Sequence, residues 1–477
     1  MADTLELEET ASAPVQPCER GLPSVSYAPD GPDSAPRTPI LGVHARILIG
    51  SAASQLPIWG FSMSYGIFQD YYSNNWTLDG SRSATGVIGT TSNGVTYIAM
   101  PFFFALFSKR WARHRLPAAA CGTILAAASF ALSSFSRDVW HLVLTKGVLA
   151  AIGSALVYSP TTLSLGEWLN TPNGICNRAV AFGLCLSAKN IVGTTCPFLC
   201  RALLDGLGFG STMRVWAAIT LATGLLAVAL IPPPTSALST TRRSTKIPWT
   251  FLTHPTFYIN STATLLQSAG YGIPQTYLSE YGRDIVGVSS TYATLLITLF
   301  NFPGILASFF FGYLCDNKRL QLSMSTVTAL SAATSSLAAF IFWGLAGGKG
   351  GGSGSGSLIL LVLFAITFGF SASGYSATWA GTMNDMEREA ATRNEAIDTG
   401  FVYGLMNGAR GLGYVGGGLV GVPLLDAGAS GSAIGKLGYS TTYGPLILFT
   451  GSTLACGGLS LLCRGIRSCR NCVASPS

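Results

Sequence analysis

Apolar residues run along this chain in long blocks, separated by short stretches rich in Gly, Pro, Ser and Arg. A helix rises about 1.5 Å per residue, so about 20 apolar residues cross the hydrocarbon core of a bilayer. Twelve blocks reach that length, at 45–69, 84–107, 117–136, 140–165, 179–201, 212–231, 257–279, 290–314, 320–345, 358–381, 400–425 and 440–463. They predict an all-α membrane protein with twelve transmembrane helices in two six-helix bundles. The divider between the sixes opens Pro232-Pro233-Pro234 and carries Arg242, Arg243 and Lys246. The expected organisation is a disordered cytosolic tail (1–44), a first bundle (45–231), a cytosolic central loop (232–256), a second bundle (257–463) and a cytosolic tail (464–477). The first tail is Pro-rich, starts acidic and holds no apolar run, so no cleavable leader is expected. Gly347–Ser357 is almost all Gly and Ser and reads as an outer linker.

Composition agrees with a membrane class. Only 10% of residues are charged and 49% are hydrophobic, and the mean hydropathy is +0.44. A soluble chain of this length needs far more charge to cover its surface. The basic residues then set the orientation. With both termini inside, the inner segments hold Lys109, Arg110, Arg113, Arg115, Arg178, Arg242, Arg243, Lys246, Lys318, Arg319, Arg388, Arg393, Arg464, Arg467 and Arg470. The outer loops hold only Arg82, Arg137, Arg201, Arg214, Arg283, Lys349 and Lys436, together with acidic Asp70, Asp79, Asp205, Glu280 and Asp284. That asymmetry follows the positive-inside rule. The net charge of +7 is therefore read as topology, and nucleic acid is not expected as a partner.

Lys189 and Arg410 fall near the middles of the fifth and eleventh spans, with no carboxylate at comparable depth. A charge at the bilayer centre costs roughly 2.5–3.5 kcal/mol on insertion scales, so it usually persists for function. Two uncompensated cations point to an anion. Tyr403, Asn407, Arg410 and Tyr414 share one helical face, and a guanidinium fork suits a carboxylate. Asn190 flanks Lys189. Gln55 and Trp59 in span one, Gln267 and Tyr271 in span seven, Asn301 in span eight, and Tyr375 and Trp379 in span ten complete the candidate substrate-binding set. Aromatic rings with amides suit a flat organic substrate. Ordinary interhelical hydrogen bonding is the competing reading of these polar residues. Lys146 lies nearer the outer end of span four and is expected to snorkel to the headgroups.

Other chemistry is sparse. None of the four His lies at mid-span, so neither a membrane enzyme nor a metal site is expected, and no cofactor is implied. No Gly-x-x-x-x-Gly-Lys-Ser/Thr loop is present, which argues against an ATP-driven pump. The eleven cysteines show no pairing by spacing, and Cys463, Cys469 and Cys472 beside Arg464 and Arg467 are candidates for palmitoylation. Asn75-Trp76-Thr77 is a possible glycosylation sequon in the first outer loop.

A weak echo links the halves. Lys109-Arg110-Trp111-Ala112-Arg113-His114-Arg115 follows span two, and Gly312-Tyr313-Leu314-Cys315-Asp316-Asn317-Lys318-Arg319 follows span eight. Gly312-x-x-x-Asp316-x-Lys318 resembles the loop signature of the major facilitator superfamily; the first copy keeps basic residues but lacks the Asp. Further stretches resemble the fungal monocarboxylate-transporter-like branch: Gly66-Ile67-Phe68-Gln69-Asp70-Tyr71-Tyr72, Tyr158-Ser159-Pro160 with Glu167-Trp168, Gly270-Tyr271-Gly272-Ile273-Pro274, Tyr375-Ser376-Ala377-Thr378-Trp379, and Gly408-Ala409-Arg410-Gly411-Leu412-Gly413. Their order covers nearly all of 45–463. The resemblance implies alternating access, with Gly312, Asp316, Lys318, Arg110 and Arg113 in gating or structural roles. Proton–lactate carriers of that family use a Lys in span one and an Asp/Arg pair in span eight. Here Ser62, Ser64, Tyr65 and Asn301 stand in those spans, so lactate–proton symport does not carry over.

The expectation is a secondary active or facilitative transporter of a small organic anion, probed as a monocarboxylate-like metabolite, with a proton as the candidate coupled ion. It is expected to work as a monomer in the plasma membrane. Export of a fungal secondary metabolite is the alternative, and a non-transporting receptor is the alternative of another class.

Overall fold

The computed structural model describes residues 40–75, 79–108, 111–169, 178–233, 249–316, 322–347, 354–430, 437–463 and 466. The expectations for the first tail up to 39, for 234–248, for most of the glycine-serine linker and for 467–477 lie outside the described residues. The described chain is helical nearly throughout. α1 runs as three pieces, Ile40–Ala53, Gln55–Met63 and Tyr65–Asn74. α2 is Gly86–Ser108 and α3 is Arg115–Ser133. α4 starts at Val139–Leu142, widens into a π turn at Val143–Leu149 and continues as Ala150–Leu169. Arg178–Leu230 holds both α5 and α6, which join at Gly208. α7 is Pro255–Tyr281. α8 is Ser290–Asn301 and Pro303–Asp316. α9 is Met324–Ala338 with a π turn at Ala339–Trp343. α10 is Gly354–Ala377, followed by a separate polar helix, Trp379–Thr392. α11 is Thr399–Ser430, and α12 is Gly444–Ala455 with one tighter turn, Cys456–Gly458.

Among the described residues, eight helical stretches are long and apolar enough to cross a membrane, and one of these, Gly183–Leu230, contains α5 and α6 together. α1, α2 and α7 are not among them. The reason is visible in what they bury. α1 hides Ser51, Ser54, Gln55, Ser62, Ser64, Gln69 and Asp70; α2 hides Thr90, Ser92, Asn93 and Thr96; α7 hides Thr264, Gln267, Ser268, Gln275 and Thr276. Helices this polar survive in a bilayer only by facing protein.

Packing confirms where they face. α3 lies on α4 and on the α5–α6 pair within the first six helices, and α9 lies on α10 and α12 within the second. Between the sixes, α11 packs most extensively on α2, α5 packs on both pieces of α8, and the last piece of α1, Tyr65–Asn74, packs on α7. The sequence places α5 and α6 apart, with 202–211 as a loop. Instead both helices continue to a single sharp turn at Gly208, whose φ of 70° is in the left-handed region that favours glycine.

The glycines of α11 have distinct tasks. A Cβ on Gly411 would lie 2.5 Å from the Gly94 carbonyl oxygen and 2.6 Å from the Ile98 amide nitrogen of α2. On the opposite face, Cβ atoms at Gly413 and Gly417 would strike the carbonyls of Leu265 and Ala269 in α7. Small residues thus let three helices meet backbone to backbone. Gly416 has nothing within 4 Å. Gly411→Leu is expected to lower the melting temperature of the detergent-solubilised protein, since overpacking typically costs about 1–3 kcal/mol. Gly416→Leu is the control and leaves it unchanged; equal effects of the two would contradict the packing argument.

Candidate functional site

The two mid-span cations converge on one ring. Lys189 of α5 donates from Nζ to Tyr97 Oη at 3.1 Å, and that nitrogen lies 4.2 Å from the Trp59 ring centroid of α1. Arg410 of α11 enters from the other six helices, with its guanidinium carbon 5.0 Å from the Tyr97 centroid. Around it stand Trp379 at 5.6 Å, Tyr271 at 5.7 Å and Tyr414 at 5.9 Å. Tyr97 and Tyr414 stack with centroids 5.8 Å apart. Among the described residues, neither cation has a carboxylate partner. Ring faces hold them instead, through the attraction of a cation to a ring quadrupole. Arg410 is buried, and its Nε has no hydrogen-bond partner. The indole nitrogens of Trp59 and Trp379 are also buried without partners. These are all donors, arranged around two positive charges.

The structure sorts the sequence candidates. Lys189, Arg410, Trp59, Tyr271 and Trp379 come together around Tyr97 and Tyr414. Tyr403 extends the group, 5.8 Å from Trp379 by ring centroid. Asn407 spends its amide on the Tyr403 carbonyl of its own helix at 2.9 Å, and Gln55 does the same with the Ser51 carbonyl at 3.0 Å. Asn301 bridges instead: its amide donates to the Gly193 carbonyl of α5 at 3.1 Å and to Ile297 at 2.9 Å. Asn190 lies against Gly304 of α8. Gln267 and Tyr375 both border Gly457 of α12, and Gln267 Nε2 is a further unpartnered buried donor. Arg113 is turned to its neighbour His114, 2.9 Å away. Arg110 and Lys318 lie outside the described residues, as do the surroundings of Gly312 and the side chain of Asp316. Asn75 is exposed at the end of α1. No group of three or more His, Cys, Asp or Glu could hold a metal among the described residues.

Sequence reading missed Tyr97 altogether, because a tyrosine on an apolar helix looks like packing. It also assigned several charges to outer loops that are in fact interior. Asp70 is fully buried near the C-terminal end of α1, where it pairs with Arg201 of α5 and with Arg283, 3.1 Å away beyond α7. Arg201 also donates to Thr294 of α8 at 3.3 Å. Beside this cluster, Glu280 of α7 accepts from Gln69 at 3.2 Å and from Ser73, both on α1. Both sixes contribute to this network, which ties the end of α1 to those of α5 and α7.

Lys146 does not snorkel. It is fully buried in the π turn of α4, donating to Tyr72 Oη at 2.8 Å with Phe209, Phe68 and Phe61 rings around it at 4.3, 4.9 and 5.1 Å. The widened turn swings it inward between helices rather than up to the surface. At the opposite ends of the helices, Arg115 forms a bidentate pair with Glu167 at 2.5 and 2.9 Å, and His254 bridges Glu389 and Glu395 at 3.2 and 2.7 Å. These join segments within one six or the other.

Six helices facing six across a buried cationic centre describe a membrane transport protein, and the comparisons agree. Residues 47–418 match the family model for the Major Facilitator Superfamily, to which the chain belongs; it is a multi-pass membrane transporter and not an enzyme. An "MFS-type transporter" of Gibberella moniliformis is 28% identical over 82% of this chain and 85% of its own. Human "Monocarboxylate transporter 11" is 28% identical over half of each chain (50% and 50%), and the "Fujikurins efflux protein" of Gibberella fujikuroi is 22% identical over 54% of this chain and 53% of its own. The nucleoside transporter NupG shares the fold, with a TM-score of 0.62 at 15% identity, covering 88% of this chain and 98% of that one.

Proposed function

We propose that this transporter moves a small organic anion, a carboxylate-bearing metabolite of monocarboxylate type, by alternating access. The observation that carries the reading is the Lys189–Tyr97–Arg410 centre, where cations from both sixes flank one ring without a described carboxylate. A bound anion offsets the cost of two buried charges, whereas a bound cation adds to it. Because one cation comes from each six, closing the halves around the ligand engages both. A proton is the proposed coupling ion, since it neutralises the acid it travels with. The proposal places the protein as a monomer in the plasma membrane with cytosolic termini. Export is the second reading of direction, favoured by the likeness to a relative named as an efflux protein.

Counterflow in proteoliposomes against organic acids, flavins and neutral metabolites tests the proposal. Exchange confined to anionic members is expected. Exchange confined to neutral or cationic members would sink it. Orientation has its own check: a cysteine placed at Trp249, at the end of the central loop, is expected to resist impermeant maleimide from outside cells and to react once the membrane is opened. Labelling in intact cells would reverse the topology.

A further inference from the structure

We infer that the ligand of this centre is a flat, conjugated acid whose acceptor atoms are spread over more than one end, rather than a compact aliphatic acid. The inference deepens the anion reading above and rests on it.

Three observations support it. First, the cations are seated on ring faces, so a ligand carboxylate reaching either one arrives beside an aromatic surface: Trp59 and Tyr97 at Lys189; Tyr97, Trp379 and Tyr271 at Arg410. Second, the walls at both ends are aromatic and come from both sixes. Trp59 lies 5.0 Å from Tyr97 by centroid and meets Tyr158 edge-on at 5.9 Å, while Trp379 meets Tyr403 edge-on at 5.8 Å. Third, the buried donors without partners are dispersed. The Trp59 indole nitrogen belongs to the Lys189 end, and the Trp379 indole nitrogen and Arg410 Nε belong to the other. One compact carboxylate occupies a single end and leaves the opposite donors unpaired, and a buried unpaired donor is unfavourable. A rigid ring system with an acid at one end and acceptor oxygens at the other answers both sets, and its faces replace water against the rings.

The specificity-determining residues on this view are the two tryptophans. A conjugated ring is expected to gain up to about tenfold in affinity from each aromatic wall it stacks on. Trp59→Leu and Trp379→Leu keep both cations and an apolar volume but remove a ring face from each, so each should weaken a conjugated acid severalfold more than a saturated acid of equal charge.

The test uses purified full-length protein in detergent, with equilibrium dialysis of three probes that carry an acceptor oxygen at the end opposite the acid: 6-hydroxy-2-naphthoate, its fully reduced decahydro analogue, and neutral 6-hydroxy-2-naphthamide. The expected order is naphthoate about tenfold or more tighter than the decahydro acid, with the amide weakest, and the gap between the acids closing in either tryptophan variant. Equal binding of both acids, with the amide weaker, overturns the planar-ligand inference and leaves the anion reading standing. An amide that binds as well as both acids removes the anion reading itself. A gap between the acids that persists in both tryptophan variants overturns the assignment to Trp59 and Trp379.

Discussion

Arg410→Gln is expected to cut anion transport about tenfold to a hundredfold while the protein folds at least as well as the parent. Charge-assisted hydrogen bonds contribute about 1.5–3 kcal/mol each, which converts to that range. The stability half of the prediction is the more telling. Arg410 is buried on four ring faces with an unpartnered Nε and no described carboxylate. A residue kept only for structure would cost stability when neutralised, whereas an unpaired cation kept for its ligand costs stability while it stays. Arg410→Lys retains the charge but loses the fork, so it falls between the two. Lys189→Gln follows the same direction with a smaller loss, because Tyr97 and Trp59 already hold that ammonium. Initial uptake rates beside melting temperatures decide the matter. A variant that unfolds in step with its loss of transport would make Arg410 a packing residue.

With the termini cytosolic as proposed, Asp70→Asn is expected to open the outer end. Asp70 is fully buried and faces Arg201 and Arg283, which belong to different sixes. Removing one partner of a buried pair typically costs about 3–5 kcal/mol, because the remaining charges lose compensation. Arg201 retains only its hydrogen bond to the Thr294 hydroxyl at 3.3 Å and a weaker contact with Asp205, 3.8 Å away in an exposed position. The loss falls on the state in which the outer ends are joined, so the equilibrium moves toward the outward-open state by about a hundredfold or more. A cysteine at Ser62, below the network on α1, reports this through its reaction with impermeant maleimide from outside. Faster labelling in the Asp70→Asn background is the expected result. Unchanged labelling would mean that the network does not hold the outer end shut.

The sequence made the bundle and the two cations legible for one reason: a charge inside an apolar block has no cheap explanation. Lys189 and Arg410 stood out on that ground. The residues that organise them did not. Tyr97 is one aromatic among many on α2, and only its position between two cations 92 and 313 residues further on gives it meaning. Asp70, Arg201, Arg283 and Glu280 sit at helix ends, where a linear reading assigns charges to loops and headgroups. Asp70 and Arg201 are buried and Glu280 and Arg283 half-buried, held by pairing between residues up to 131 and 213 positions apart. Lys146 was misjudged because the π turn of α4 redirects its side chain, and a turn type leaves no mark in hydropathy. α1 was expected as one continuous span; Ser54 keeps helical dihedrals within it, whereas Ser64 departs from them, and that residue type alone does not announce a kink. The glycines of α11 were visible as a set, but which ones touch a neighbour depends on the rotation of the helix: Gly411, Gly413 and Gly417 meet backbones, and Gly416 does not.

Charge sign at the Lys189–Arg410 centre is the central claim, and a matched acid and amine test it most directly. The dissociation constants of 2-naphthoate and 2-naphthylmethylamine are to be measured on the parent protein and on the double variant Lys189→Gln/Arg410→Gln. The two ligands share one ring system and differ in the sign of one group. The account predicts that the parent binds the acid at least about tenfold more tightly than the amine, a preference of roughly 1.4 kcal/mol or more, and that the double variant loses this preference. An amine that binds the parent as tightly as the acid, or an acid preference that survives loss of both cations, would contradict it.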